Sequence, residues 1–232
     1  MPQPPLAGVV LTHHHPDHVG AVAAVASRYR VPVLAHPRTT ELLKGRVQVD
    51  DTLDEGDRLD LGTAPDGSGP WHLEATFTPG HAGGHLVFYE PHYRLLFAGD
   101  MVSMLSSVVI APPDGDLGLY LASLRRLRDF DCRMLLPGHG APTVRPRQVI
   151  DDALAHRAKR EDQLLTALRE GGPLSVTDLA GRLYRDLAAE LLPLAALQVW
   201  AGLEKLQREG KAIRVGSVQA EEAEDRQLWA AV

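Results

Sequence analysis

The run His13-His14-His15-Pro16-Asp17-His18 follows the apolar segment 6–11 after one residue, Thr12, and that segment has the composition of a buried strand. Four potential metal ligands, in the pattern H-x-H-x-D-H, therefore stand within six residues at the end of a predicted strand. A triple histidine alone is also typical of a tag or a surface cluster, but a tag does not continue as Pro-Asp-His. Imidazole and carboxylate suit zinc and similar divalent ions, and ligand type alone leaves Mn²⁺ and Fe²⁺ open. The run predicts a two-metal site.

Further ligand candidates follow in three short motifs, each with a glycine beside the ligand. They are Thr78-Pro79-Gly80-His81 with His85, Ala98-Gly99-Asp100, and Leu136-Pro137-Gly138-His139-Gly140. Gly-His pairs also occur in ordinary turns, so each motif is weak evidence alone. Glycine frees the backbone to turn a ligand inward, and the motifs taken together predict a dinuclear centre.

These motifs resemble the metallo-β-lactamase superfamily. The resemblance implies that the first metal is held by His13, His15 and His81, the second by Asp17, His18 and His139, and that Asp100 bridges both. It also implies two Zn²⁺ per chain and hydrolysis by a metal-bridging hydroxide, because two ions about 3.5–4 Å apart lower the pKa of a shared water.

The resemblance gives His85 a role beside Asp17 and Asp100 in the catalytic set. It implies that this second histidine of its motif faces the substrate and stabilises a developing oxyanion. The alternative is a hydrogen-bonding residue that supports the ligands.

Composition is that of a soluble enzyme, with 232 residues, 44% hydrophobic and 23% charged. No apolar run reaches the roughly 18–20 residues of a membrane helix and no signal sequence opens the chain, so we expect no membrane association and a cytoplasmic location. The single Cys132 excludes an internal disulfide. A formal charge of −6 gives no general attraction to nucleic acid.

Strand and helix patterns alternate through residues 1–147 and predict an α/β layered domain. We expect strands at 9–11, 31–35, 71–77, 86–89, 95–98 and 133–136, a hairpin at 53–61, and helices at 19–29 and 117–127. Every proposed ligand is then expected at a strand end. By resemblance, the fold is the αβ/βα sandwich of the superfamily.

Only about a dozen residues precede the H-x-H-x-D-H run, whereas superfamily members usually have several strands and a helix there. Either a compact version is genuine or the chain starts late. An incomplete first sheet exposes an edge and apolar surface, and predicts a homo-oligomer.

Residues 148–232 predict a linker helix followed by a winged helix. A helix at 149–170 ends at Gly171-Gly172-Pro173, a second starts at Ser175 with Asp178, and a third follows Pro193. Segments 211–218 and 226–231 predict a two-stranded wing. The chain resembles the β-lactamase-like protein 2 family in this unit, in the segment 118–124 and in His156-Arg157 at the junction. The best-known activity of that family is endonucleolytic cleavage of single-stranded RNA.

Substrate class stays open between three hypotheses. By analogy, single-stranded RNA comes ahead of a small thioester, lactone or lactam, as in glyoxalase II and lactonase relatives. The third hypothesis is an inactive truncated binding module. A basic stripe of Lys205, Arg208, Lys211 and Arg214 suits phosphates, but residues 151–232 hold 14 acidic against 11 basic side chains. An ordinary solvated face is the alternative, and sequence-specific DNA binding is not expected.

Overall fold

The computed structural model describes residues 6–215 and 227–232. The first sheet has three parallel strands in chain order, with three helices in its connections. The strands are β1 (Val9–Val10), β2 (Val33–Ala35) and β3 (Asp51–Thr52), and the helices are α1 (Pro16–Val19), α2 (Val22–Tyr29) and α3 (Pro37–Leu42).

The second sheet has five strands in the order β4-β5-β6-β7-β8, antiparallel except for the parallel pair β7 and β8. Its strands are β4 (Arg58–Thr63), β5 (Pro70–Phe77), β6 (Leu86–Glu90), β7 (Leu95–Ser103) and β8 (Met134–His139). Helix α4 (Leu117–Arg128) makes the crossover between the parallel strands, and the Asp116 carboxylate caps it by accepting from Leu119 N.

The two sheets pack face to face between outer layers of helices. Strand β6 shows why, because successive side chains point to opposite faces. Leu86 and Phe88 pack with Val10 and Leu34 of the first sheet, while Val87 belongs to the cluster formed with α4. Both faces of the strand are buried, and the αβ/βα sandwich is confirmed.

Three expectations about local structure are wrong. Segment 53–61 is not a hairpin, because β3 joins the first sheet whereas β4 pairs with β5 across the turn at 64–69. The helix at 19–29 is split at Gly20 and Ala21 into α1 and α2. Not every ligand is at a strand end, because Asp17 and His18 lie on α1 and Asp100 lies inside β7. Pairing with β8 shifts register around Gly99, whose φ is +48°, and such an irregularity re-aims the following side chain.

The C-terminal unit is a winged helix, as predicted. It contains α5 (Pro146–Gly171), β9 (Leu174–Ser175), α6 (Val176–Leu183), a 3-10 turn (Ala189–Leu191), α7 (Leu192–Arg208), β10 (Ala212–Val215) and β11 (Leu228–Ala231). Ser175 and Asp178 form the expected capping box. The two-residue β9 extends the wing to a third strand. The predicted wing residues 216–218 and 226 lie outside the described part of the chain.

Helix α5 packs into both units. Its start contributes Ile150 to the core shared with α4, and its end contributes Leu164, Leu165 and Leu168 to the core of the winged helix. Among the described residues, no helix combines the length and apolar character needed to cross a membrane.

Candidate metal centre

Three imidazoles meet where β1 and β5 end. His81 Nε2 lies 2.9 Å from His15 Nδ1 and 3.3 Å from His13 Nε2, and those two nitrogens are 3.1 Å apart. Three ring nitrogens thus converge on one point. This is the set predicted for the first metal.

A second group lies beside the first, at the end of β8. His18 Nε2 and His139 Nε2 are 3.2 Å apart, and Asp17 Oδ2 lies 3.2 Å from His139 Nε2 and 3.6 Å from His18 Nε2. These are the residues predicted for the second metal.

Asp100 lies between the two groups. Its Oδ1 is 3.3 Å from His18 Nε2, and its Oδ2 is 3.6 Å from His81 Nε2 and 3.3 Å from His139 Nε2. Oδ1 is buried and accepts no well-aligned hydrogen bond from a described residue. A buried carboxylate oxygen without a donor suits a cation, since burial of an unpaired charge is unfavourable. The donor set therefore fits two divalent ions.

Burial keeps the imidazoles of the first group neutral. It lowers the pKa of His15, lowers that of His81 to about 4, and holds that of His13 far below its usual value, with neighbouring imidazoles adding to the effect. A neutral imidazole offers a lone pair to a metal. The pKa of His18 is instead raised by its interaction with the neighbouring Asp100 carboxylate.

A backbone carbonyl selects the tautomer of His81. His81 Nδ1 lies 2.8 Å from Val109 O. Because a carbonyl only accepts, Nδ1 carries the proton and Nε2 keeps its lone pair toward the cluster. The sequence carries no signal for Val109, since any residue supplies a carbonyl.

His85 is buried behind the ligands and away from the open side of the centre, so its predicted role toward the substrate stays a prediction. Its side chain is 0% exposed. Nε2 accepts from Asp100 N at 3.1 Å, so Nδ1 donates to Thr78 Oγ1 at 2.9 Å. Both ring nitrogens are engaged, and the geometry supports the alternative role of holding a ligand in place.

The centre opens to solvent on the side of its second group. The side chain of Asp17 is 57% exposed and that of His139 is 38% exposed, against 6% for His81. Beside this opening, Met104 N donates to His139 O at 3.0 Å, and both Met104 and Leu105 are exposed. They line a cavity of about 360 Å³ that extends to Tyr120 and α5. Met104 and Leu105 form an apolar rim beside the opening.

The predicted basic stripe is neutralised by ion pairs. Lys205 and Lys211 both bind Glu161 and Glu209, Arg208 binds Asp116, and Arg214 binds Glu204. Each described cation of the stripe thus has a carboxylate partner, and the geometry favours the solvated-face alternative over a phosphate track.

Comparison with known families identifies both units. The model of the metallo-beta-lactamase superfamily matches residues 2–139. The chain belongs to this superfamily. The model of the beta-lactamase associated winged helix domain matches residues 175–222, which include the helices α6 and α7 described above.

Individual relatives extend the likeness over both units. The beta-lactamase-like protein 2 homolog of Caenorhabditis elegans is 26% identical over 204 residues, covering 87% of this chain and 65% of the relative. The atrochrysone carboxyl ACP thioesterase nsrC of Aspergillus novofumigatus is 28% identical over 217 residues, covering 88% and 62%. The chain therefore spans a little under two thirds of these relatives.

A solved structure shows the same architecture. The metallo-beta-lactamase family protein TTHA1429 of Thermus thermophilus has a TM-score of 0.78 at 25% identity, with 98% of this chain and 80% of that chain covered.

Proposed function

We propose that the chain is a dinuclear metal-dependent hydrolase that cleaves a small acyl substrate, a thioester in the first instance. His13, His15 and His81 would hold one ion, Asp17, His18 and His139 the other, and Asp100 both. Zn²⁺ is the proposed metal, with Mn²⁺ and Fe²⁺ as the alternatives that this ligand set accepts. When bound, two such ions supply a water of lowered pKa and polarise the bond to be broken.

The apolar rim at the open side of the centre is the observation that favours an acyl substrate over RNA. Met104 is exposed beside His139, and Leu105 is exposed next to it. An acyl chain finds apolar contacts there, whereas RNA needs free cations to neutralise its phosphates. The likeness to a relative named as an ACP thioesterase supports the same choice.

The reaction consumes one water. The water oxygen would bond to the carbonyl carbon and the C–S bond would break. One proton of the water would pass to the leaving thiolate and the other would be released to solvent, so that the products are a carboxylate and a thiol. Asp17 is the exposed carboxylate at the open side, 3.2 Å from His139 Nε2, and we place it as the acceptor of the water's proton. His85 keeps the Asp100 backbone in place through its bond to Asp100 N.

Single-stranded RNA is the second candidate, because the likeness to a beta-lactamase-like protein 2 homolog covers both units of the chain. In that case the same side chains would hold the ions during phosphodiester cleavage.

One set of assays tests the proposal. Zinc-loaded protein is incubated with an S-acyl pantetheine and with an S-acyl glutathione, and thiol release is followed with a thiol reagent; end-labelled single-stranded RNA is incubated in parallel. We expect thiol release that Asp100→Ala abolishes and that added salt hardly changes. RNA cleavage by the parent alone, falling steeply with salt, without thiol release, would replace the acyl proposal by the second candidate.

A further inference from the structure

The junction between the two units contains a buried cation held by neutral groups. Arg157 on α5 is 8% exposed, and its guanidinium donates to an amide and a backbone carbonyl and forms no ion pair with a carboxylate of a described residue. Its guanidinium lies over the Tyr120 ring, 5.3 Å from the centroid. A buried charge is unfavourable unless its hydrogen bonds are satisfied, so the partners of Arg157 are informative.

Arg157 and Gln198 converge on one carbonyl of the loop that follows β7. Arg157 Nη2 donates to Val108 O, and Gln198 Nε2 donates to the same oxygen at 2.8 Å. Arg157 Nη1 also donates to Gln198 Oε1 at 3.0 Å, which fixes the amide orientation. Gln198 is on α7, so both units contribute to this contact.

The next carbonyl of the loop binds a ligand of the centre. Val109 O accepts from His81 Nδ1 at 2.8 Å, and Ile110 N lies 3.4 Å from Gln198 Oε1. Residues 104–110 are in neither a helix nor a strand, so no regular backbone ladder fixes the direction of their carbonyls and side-chain donors can do so.

We propose that Arg157 and Gln198 are positioning residues for His81. They fix the Val108 carbonyl, and through the shared backbone they hold the Val109 carbonyl against His81 Nδ1, with the imidazole lone pair on Nε2 facing the cluster. The C-terminal unit thus stabilises the position of a metal ligand. The inference rests on the proposed metal site.

Arg160, one turn along α5, is a matched control. Its guanidinium lies 4.5 Å from the Tyr184 centroid, and its Nη1 donates to Gln163 and to Leu183 O, all within the C-terminal unit. Arg160→Met therefore removes a similar set of contacts without touching the loop at 104–110.

The test is a titration of the metal-stripped full-length protein with Co²⁺ against a competing chelator, read by visible absorption, with thermal melts in parallel. We expect Arg157→Met and Gln198→Leu to weaken one of the two bound ions by about 10–100-fold, the usual effect of losing a group that supports a ligand, and to shift its absorption band. Arg157→Lys should recover part of the affinity, and Arg160→Met should lower the melting temperature with both affinities unchanged.

Two parent-like affinities in both Arg157→Met and Gln198→Leu would overturn the inference and leave only a structural role. If Arg157→Met fails to fold, Gln198→Leu decides by the same readout. A parent protein that binds no Co²⁺ would instead overturn the proposed function, so the two failures are distinguishable.

Discussion

At the scale of single residues, the centre is a group of imidazoles that burial keeps neutral. The folded pKa values of His13, His15 and His81 lie below the unfolded value near 6.5. Neutral rings accept a metal without first losing a proton, so the fold prepares the ligands before the ion arrives.

The same pKa shifts make the metal-free protein sensitive to acid. Stability from these neutral rings is complete above about pH 6.5 and is lost as the pH falls toward the folded values, about 4 for His81. His18, with its raised pKa, acts in the opposite sense, since its contribution is present below about pH 6.5 and lost as the pH rises through its folded value. The effect of His18 falls above pH 6.5, so it does not offset the loss of stability below that pH.

We therefore expect the melting temperature of chelator-treated protein to fall between pH 7 and pH 4.5, measured by circular dichroism. His81→Gln should make the decline shallower. A melting temperature that is constant or rises over this range would contradict the assignment of neutral rings.

Sequence reasoning reached the ligands because each is a side chain with a recognisable neighbour. The sequence did not predict the groups that hold these ligands in place. Val109 acts through its backbone, and the bonds of His85 to Thr78 and to Asp100 N depend on how β5 and β7 are packed. Residue type cannot encode such contacts.

At the scale of elements, the end of β8 carries a glycine for a steric reason. A Cβ at Gly138 would lie 2.5 Å from Asp100 Oδ1 and 2.7 Å from His18 Cε1. The strand can thus bring His139 to the centre only if position 138 has no side chain.

Gly138→Ala should therefore weaken metal binding at least about ten-fold, as a displaced ligand does. Gly181→Ala on α6 is the control, because its Cβ meets no atom within 4 Å. It should leave metal binding unchanged and stabilise the fold by up to about 1 kcal/mol. Isothermal titration with Zn²⁺ measures the metal affinity of both variants, and chemical denaturation measures the stability of Gly181→Ala. Parent-like metal affinity in Gly138→Ala would refute the steric argument.

Most elements were predictable from periodicity, because buried strands and amphipathic helices leave regular apolar patterns. The shortest elements were not predictable in this way. β3 and β9 have two residues each, too few for a pattern, and their sheet partners are fixed by tertiary packing.

At the scale of the whole molecule, ion pairs with carboxylates that are distant in sequence neutralise basic residues of the winged helix. Arg208 pairs with Asp116, 92 residues away, and no local pattern shows that partner. In the sequence the cations of the basic stripe have few obvious partners, whereas in the fold each of them pairs with a carboxylate.

Lys205→Ala combined with Arg208→Ala should accordingly leave thioester turnover within about two-fold of the parent. The exposed Arg208 contributes roughly 0–1 kcal/mol to stability, whereas loss of Lys205, whose side chain is 12% exposed, should lower stability more. Steady-state kinetics with an S-acyl pantetheine measures the first effect. A selective loss of RNA cleavage in this variant would favour the second candidate function instead.

Association of the chain stays a prediction. Among the described residues, β1 and β3 form the two edges of the first sheet, and an unpaired sheet edge can pair with another copy. Light scattering after size-exclusion chromatography should give a homo-oligomer, and a monodisperse monomer would contradict this.

The most direct test of the dinuclear centre is the metal content of the reconstituted, dialysed protein, measured by inductively coupled plasma mass spectrometry. We predict two divalent ions per parent chain, and at most one in Asp100→Ala, with activity reduced by more than the roughly 100-fold that loss of a supporting group causes. Fewer than two ions in the parent, or two ions with full activity in Asp100→Ala, would contradict the assignment.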